Sequence, residues 1–193
     1  CSLLNKMFGD YEEKFSAYRA LLAYYLALPG KKMLFMGGEL GEFIEWRYDE
    51  GLEWHLLEYD KHKKLNDYIK TINNYYLLAK PFWQNEENWD GFSWINDGDN
   101  DRSVISFIRK GKKRGDNVLV VSNFTPVERK KYLIGVPSAG EYVVDMDSSW
   151  DAFGGSRVKR RVKYKTKKQN FLGFSNVIEI NLEGLSTVYI KKE

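Results

Sequence analysis

The sequence predicts an α/β unit followed by an all-β domain, and three observations carry that fold class. Before residue 86, two helical apolar stripes flank a single short apolar run. After Asn88 the period changes to short strand-like runs with turn residues between them. Net charge changes sign at the same place: residues 1–87 hold 11 Lys and Arg against 14 Asp and Glu, and the remainder holds 19 against 13. The expected organisation is two domains, residues 1–85 and residues 86–193.

In the first part, Asp10 is placed to cap a helix from Tyr11 to about Leu28, with Glu13 at the capping-box position. Phe15, Tyr18, Leu22, Tyr25 and Leu26 fall on one stripe of it. Pro29-Gly30 stops the helix. Met33–Met36 has no polar alternation, as expected of a strand buried on both faces in a parallel sheet. Gly37-Gly38 turns the chain sharply, and a connection of roughly two dozen residues follows, far longer than the usual ~2–6 of a βα loop. A second helix is predicted from about Lys61 to Ala79, with Leu65, Tyr68, Ile69, Ile72, Tyr75 and Tyr76 inward and Pro81 just beyond its end. A helix, one parallel-type strand and a second helix cannot bury a sheet alone. Residues 1–85 therefore read as the closing βα unit of an incomplete (β/α)8 barrel, and a start at Cys1 without Met fits a piece of something longer.

In the second part, strands are expected over residues 91–96, 103–109, 117–124, 130–135, 142–145, 157–166, 176–182 and 186–190. Spacings of roughly 8–12 residues with turn residues between them indicate an antiparallel β-sandwich.

Composition narrows the function classes. A hydrophobic fraction of 43% with 16% aromatics argues for a folded chain. No run approaches the ~18 apolar residues of a membrane span, and no signal peptide is visible. The single Cys1 rules out an intrachain disulfide, so a reducing, cytoplasmic compartment is expected.

Several residue groups carry possible chemistry. The loop 39–58 holds Glu39, Glu42, Glu45, Asp49, Glu50, Glu53 and Glu58 beyond the carboxyl end of the expected strand, where α/β sheets place their ligand sites. Glu39 either lines the rim of such a site or fixes the loop by accepting backbone N–H bonds. Trp46 and Trp54 offer rigid apolar planes on which sugar faces stack, and His55 a ring N–H for a hydroxyl. Asp97-Gly98-Asp99-Asn100-Asp101 begins like a calcium loop, but Arg102 and Ile108 stand where the EF-hand pattern needs Gly and Glu, so a hairpin turn is expected. Eight of the twelve residues Arg157–Lys168 are basic. Val158, Val162 and Tyr164 alternate with the charges as on a half-buried strand, so nucleic-acid binding is not expected.

The central stretch Lys32-Met33-Leu34-Phe35-Met36-Gly37-x-Glu39, with Glu45-Trp46 and Leu52-Glu53-Trp54-His55-Leu56-Leu57, resembles the last barrel strand and following loop of bacterial 1,4-alpha-glucan (glycogen) branching enzymes, in the alpha-amylase superfamily. Lys6-Met7-x-Gly9-Asp10-Tyr11, Gly91-Phe92-x-Trp94-Ile95, Arg102-Ser103-Val104 and Val121-Ser122-Asn123-Phe124-Thr125-Pro126-Val127 extend the resemblance, in order, over most of the chain. Phe8, Gly38 and Leu40-Gly41-Glu42 depart from the family pattern.

The resemblance implies cleavage of an α-1,4 link and transfer of the segment to a 6-hydroxyl through a covalent glycosyl-enzyme intermediate, without a cofactor or metal. It places the nucleophilic Asp, the acid/base Glu and the third essential Asp on earlier strands, so no catalytic residue is expected here and the chain alone is expected to be inactive. Glu39, Trp46, Trp54 and His55 are the expected substrate-rim residues. The implied partners are an alpha-glucan and the missing N-terminal barrel, with no nucleic acid and no membrane. Another alpha-amylase superfamily enzyme and a non-catalytic glucan-binding module are the alternative readings.

Overall fold

The computed structural model describes residues 1–193. Two helices, α1 (Tyr11–Ala27) and α2 (Asp60–Leu78), precede nine strands: β1 (Phe92–Asp99), β2 (Val104–Lys110), β3 (Asn117–Asn123), β4 (Arg129–Val136), β5 (Glu141–Asp147), β6 (Lys163–Lys165), β7 (Lys167–Phe171), β8 (Phe174–Leu182) and β9 (Ser186–Lys192). The strands form a six-stranded antiparallel sheet, in the order β1-β2-β3-β9-β5-β6, and a three-stranded one, β4-β8-β7. They face each other as a sandwich, and the helices cover the outer side of the larger sheet.

Register explains the three layers. Phe107, Val120, Tyr189 and Met146 pair across β2, β3, β9 and β5 and belong to the core shared with the helices. Next to them Ile108, Leu119, Ile190 and Val144 pair across the same strands and face the smaller sheet. Side chains alternate across a strand, so a sheet covered on both sides must be apolar in both sets. This is why β3 reads Val-Leu-Val-Val without a polar break. The helix-side core takes Phe15, Tyr18, Leu22, Leu65, Tyr68 and Ile69 from before residue 86 and Phe92, Phe107, Val118 and Val120 from after it.

α1 starts as its sequence predicts. The Asp10 carboxylate accepts the Glu13 N–H at 2.9 Å, and the Glu13 carboxylate accepts the Asp10 N–H at 3.0 Å. Hydroxyls also bind the carbonyls along the helix: Tyr68 reaches Arg19, Thr187 reaches Ala20 and Tyr189 reaches Ala23, at 2.7, 2.8 and 2.5 Å. At the C-terminal end the buried Arg109 guanidinium donates to the carbonyls of Ala27, Phe82 and Gly91. That satisfies a helix-end acceptor and ties β2 to the short turn after α2.

Met33–Met36 does not form the expected strand. It runs without regular secondary structure, and Met33 is 71% exposed. Its only backbone tie at the start is the Met33 N–H donated to the Tyr25 hydroxyl at 2.7 Å. A strand exists only as a ladder, and no strand of this chain lies beside it. The expected barrel unit is thus represented by two helices and an extended segment. Residues 157–166 are corrected as well. Only Lys163–Lys165 is a strand there, and an irregular strap over 158–162 leads into it. The edge strand β7, Lys-Lys-Gln-Asn-Phe, lacks apolar alternation and went unpredicted. Asp97–Asp101 lies at the β1–β2 hairpin, as expected.

Candidate functional site

The chain after Met36 folds into a turn pinned to both helices. Gly37 and Gly41 take left-handed φ of 76° and 69°, which a side chain disfavours. Leu40 and Gly41 N–H groups donate to the Gly37 carbonyl at 3.0 and 3.1 Å. Three side chains then bind three consecutive carbonyls of the turn. The Tyr18 hydroxyl from α1 donates to Gly38 at 3.1 Å, Asn66 Nδ2 from α2 to Glu39 at 3.1 Å, and His62 Nδ1 from α2 to Leu40 at 2.7 Å. A carbonyl can only accept, so the His62 proton sits on Nδ1.

Glu39 is half-buried, and its carboxylate takes no backbone N–H. The loop-fixing role weighed for Glu39 belongs to Glu42. That carboxylate, 5% exposed, accepts the Glu53 N–H at 2.7 Å and lies so close under Gly37 that a Cβ there would sit 2.4 Å from it. Burial raises the Tyr18 hydroxyl above its ordinary range, and the Glu39 charge adds to this.

Beside the turn is a groove of about 440 Å³. The N-terminal residues, α1, the run Met33–Met36 and the stretch Ile44–Trp46 line it. Trp46 stands on its wall, edge-on to Phe35 with ring centroids 5.6 Å apart. Trp54 and His55 are exposed on a short 3-10 turn, Trp54–Glu58, outside the groove lining. Of the four rim residues expected from sequence, the structure therefore brings Trp46 into the groove, sets Glu39 in the turn beside it, and keeps Trp54 and His55 on a separate shoulder.

Sequence reasoning missed the groove as a whole. The signal for it was present in α1: Leu21 extends its apolar surface beyond the predicted stripe, and a helix apolar on more than one face needs cover on more than one side. Outward from the groove, Met33, Phe35, Met36 and Ile44 are each at least half exposed. Such a contiguous apolar surface marks an interaction site. The residues contain no group of three or more His, Cys, Asp or Glu able to hold a metal ion. No helix is long and apolar enough to cross a membrane.

Comparison with known proteins agrees with the sheet architecture. Residues 94–193 match the family described as "Alpha amylase, C-terminal all-beta domain". A 1,4-alpha-glucan branching enzyme GlgB of Halothermothrix orenii is 44% identical over 190 residues, which are 98% of this chain and 30% of the relative. The protein of that name from Lactobacillus acidophilus is 41% identical over the same shares. This chain thus spans under a third of the length of the curated relatives it matches. Among solved structures, a variant of AmyP in complex with maltotriose superposes with a TM-score of 0.63 at 13% identity, covering 94% of this chain and 35% of that one. A pullulanase from Anoxybacillus sp. complexed with maltotetraose gives 0.60 at 12%, covering 96% of this chain and 24% of the other. These two likenesses concern the fold. The chain belongs to the alpha-amylase C-terminal all-beta domain family.

Proposed function

From that membership, we propose that the chain is the C-terminal part of a 1,4-alpha-glucan branching enzyme of glycogen biosynthesis. The observation that carries the reading is the 44% identity to a protein of that name across 98% of this chain. Residues 1–85 are read as the end of the catalytic barrel and 86–193 as its supporting β domain. The exposed, unladdered run Met33–Met36 supports this, because a backbone without ladder bonds and apolar side chains suit a barrel strand whose neighbours come from the rest of the protein. The parent would cleave an α-1,4 link by a carboxylate nucleophile and acid, then pass the glucan segment to a 6-hydroxyl with retention. Those carboxylates lie outside this chain, which is inactive by itself and needs no cofactor.

Within the parent, Glu39, Trp46, Trp54 and His55 edge the substrate path. The indole faces stack on the C–H side of glucose rings, while Glu39 and His55 accept and donate hydrogen bonds to hydroxyls. Tyr18, His62, Asn66 and Glu42 hold the turn that positions them. The single Cys1, leaving no intrachain disulfide, supports a reducing cytoplasmic location. The test compares this chain alone with one extended upstream to include the barrel, by loss of the iodine complex and detection of α-1,6 links. Activity only in the extended protein is expected. Branching by the purified chain alone, or none by the extended one, overturns the reading.

A further inference from the structure

Away from the groove, a polar cleft of about 360 Å³ lies where the first turns of α1 and α2 meet the β domain. Glu12, Ser16 and Arg19 of α1, Lys61 of α2, Ser149 and Ser156 of the β5–β6 connection, and Glu183 line it. Of all its lining residues only Leu185 is apolar. The occupant it suits is therefore itself polar.

Arg19 is the unusual member. It is 1% exposed, yet no carboxylate stands within ion-pair reach of it. Its Nε donates to the Ser148 carbonyl at 3.0 Å and Nη2 to the Ser16 hydroxyl at 3.1 Å, which leaves Nη1 without a protein partner. A Cβ built on Gly154 would lie 3.8 Å from that Nη1, so the free nitrogen points toward the cleft loop. The two acids of the lining and the neighbouring Asp147 have their own partners. Glu12 is bound by Lys61, and Glu183 by Arg157 at 3.0 Å. Asp147 Oδ1 accepts both the N–H and the hydroxyl of Ser149. Burial pulls the Arg19 guanidinium below its ordinary value, and Tyr68, Glu12 and Asp147 offset that only in part. A guanidinium cannot escape this cost by losing its proton near neutral pH; a buried charge is tolerated when it is paired.

We propose that this cleft binds a small oxyanion of the phosphate or phosphomonoester class, with Arg19 Nη1 as its buried cation and Lys61 and the serine hydroxyls around it. With Nε and Nη2 already committed, Nη1 supplies the charge-assisted bond, and such bonds are strongest where water is excluded. The dipole of α2, which begins without a side-chain cap, adds positive potential beside Lys61. Gly154, at φ 82°, keeps the loop side of the cleft free of a side chain.

The test uses the full chain and two probes, inorganic phosphate and glycerol 2-phosphate, against KCl at matched ionic strength. Phosphorus NMR and thermal unfolding are the readouts. Saturable phosphate binding with a rise in Tm that KCl does not reproduce is expected, since a ligand of the folded state raises its apparent stability. Stronger binding of the monoester would identify an esterified ligand, and equal or weaker binding would identify the free ion. Lys61→Gln, which removes a pair whose acid Glu12 is exposed, should weaken binding about fivefold to tenfold, the worth of one charge-assisted contact. Arg19→Gln should abolish it, with circular dichroism reporting whether that variant folds. A wild-type response no larger than that to KCl, or one that Lys61→Gln leaves unchanged, overturns the proposal.

Discussion

His62 and Leu40 are joined by a 2.7 Å hydrogen bond from ring Nδ1 to carbonyl oxygen, and both residues are buried. The same ring stands edge-on to Phe15 with centroids 5.0 Å apart. One side chain therefore couples α2 to the turn and to the core stripe of α1. His62→Ala would leave the Leu40 acceptor unsatisfied and remove an aromatic contact. The expected loss is about 2–4 kcal/mol in urea unfolding. A loss below half a kilocalorie would show the turn to be held without it.

Stability should fall as pH rises beyond about 10. Tyr68, Tyr75 and Tyr189 ordinarily titrate at 10.0, and burial pushes all three upward. The unfolded chain releases these protons first, so the folded state holds more of them above that pH. Their contribution is fully present below pH 10 and is lost progressively above it. Urea midpoints at pH 8, 9, 10 and 11 should be level over the first two and then drop. Tyr189→Phe should reduce the slope while costing its bond to Ala23.

The run Met33–Met36 should accept charge at little cost in the isolated chain. Met33 is 71% exposed and Met36 53%, so a Met33→Lys, Met36→Lys variant should shift stability by no more than about 0.5 kcal/mol per site. Sedimentation velocity should show less self-association than in the parent sequence, because an apolar patch has been broken. In a chain extended to include the barrel, the same pair should block folding to an active enzyme. Unchanged activity there would place this run outside the barrel sheet.

Trp46→Ala, made in the extended protein, should weaken maltoheptaose binding about threefold to tenfold, the range of one aromatic contact. The effect should be the same at low and high salt, since glucose polymers carry no charge. Binding of a DNA duplex by Lys159 and Arg161, if it occurred, would instead weaken steeply as salt rises. Titrations with both ligands at two salt concentrations separate these outcomes.

Where local chemistry decides structure, the sequence was readable. Asp10 and Glu13 cap α1 as their spacing predicts, and β1 to β5, β8 and β9 follow their apolar runs. Met33–Met36 has the composition of a buried strand, but strand formation depends on neighbours that no local pattern supplies. Lys167–Phe171 presents the opposite case. It is hydrogen-bonded to β8 and mostly exposed, so pairing and not burial makes it a strand. At the site, Trp46 could be nominated from the loop because indoles there are few. The clamp of Tyr18, Asn66 and His62 on three successive carbonyls could not, because these side chains converge only when α1 and α2 pack. Arg19 was hidden for a related reason: on a helix whose neighbours are unknown, an arginine reads as surface.

The position of β9 has a consequence for biosynthesis. It sits between β3 and β5 in the middle of the six-stranded sheet, and its Thr187 and Tyr189 hydroxyls reach back to carbonyls of α1. The ribosome makes β9 after β1 to β8. Until it emerges, β3 and β5 each show an open edge, and α1 lacks part of the surface it packs on. Such long-range closure is slow and leaves edges liable to wrong pairing. A nascent chain halted after Leu182 would already hold eight of the nine strands and both helices, yet its larger sheet would be split down the centre. Premature termination a few codons short of the last strand should therefore yield an aggregating product cleared by proteolysis, and not a slightly weakened domain.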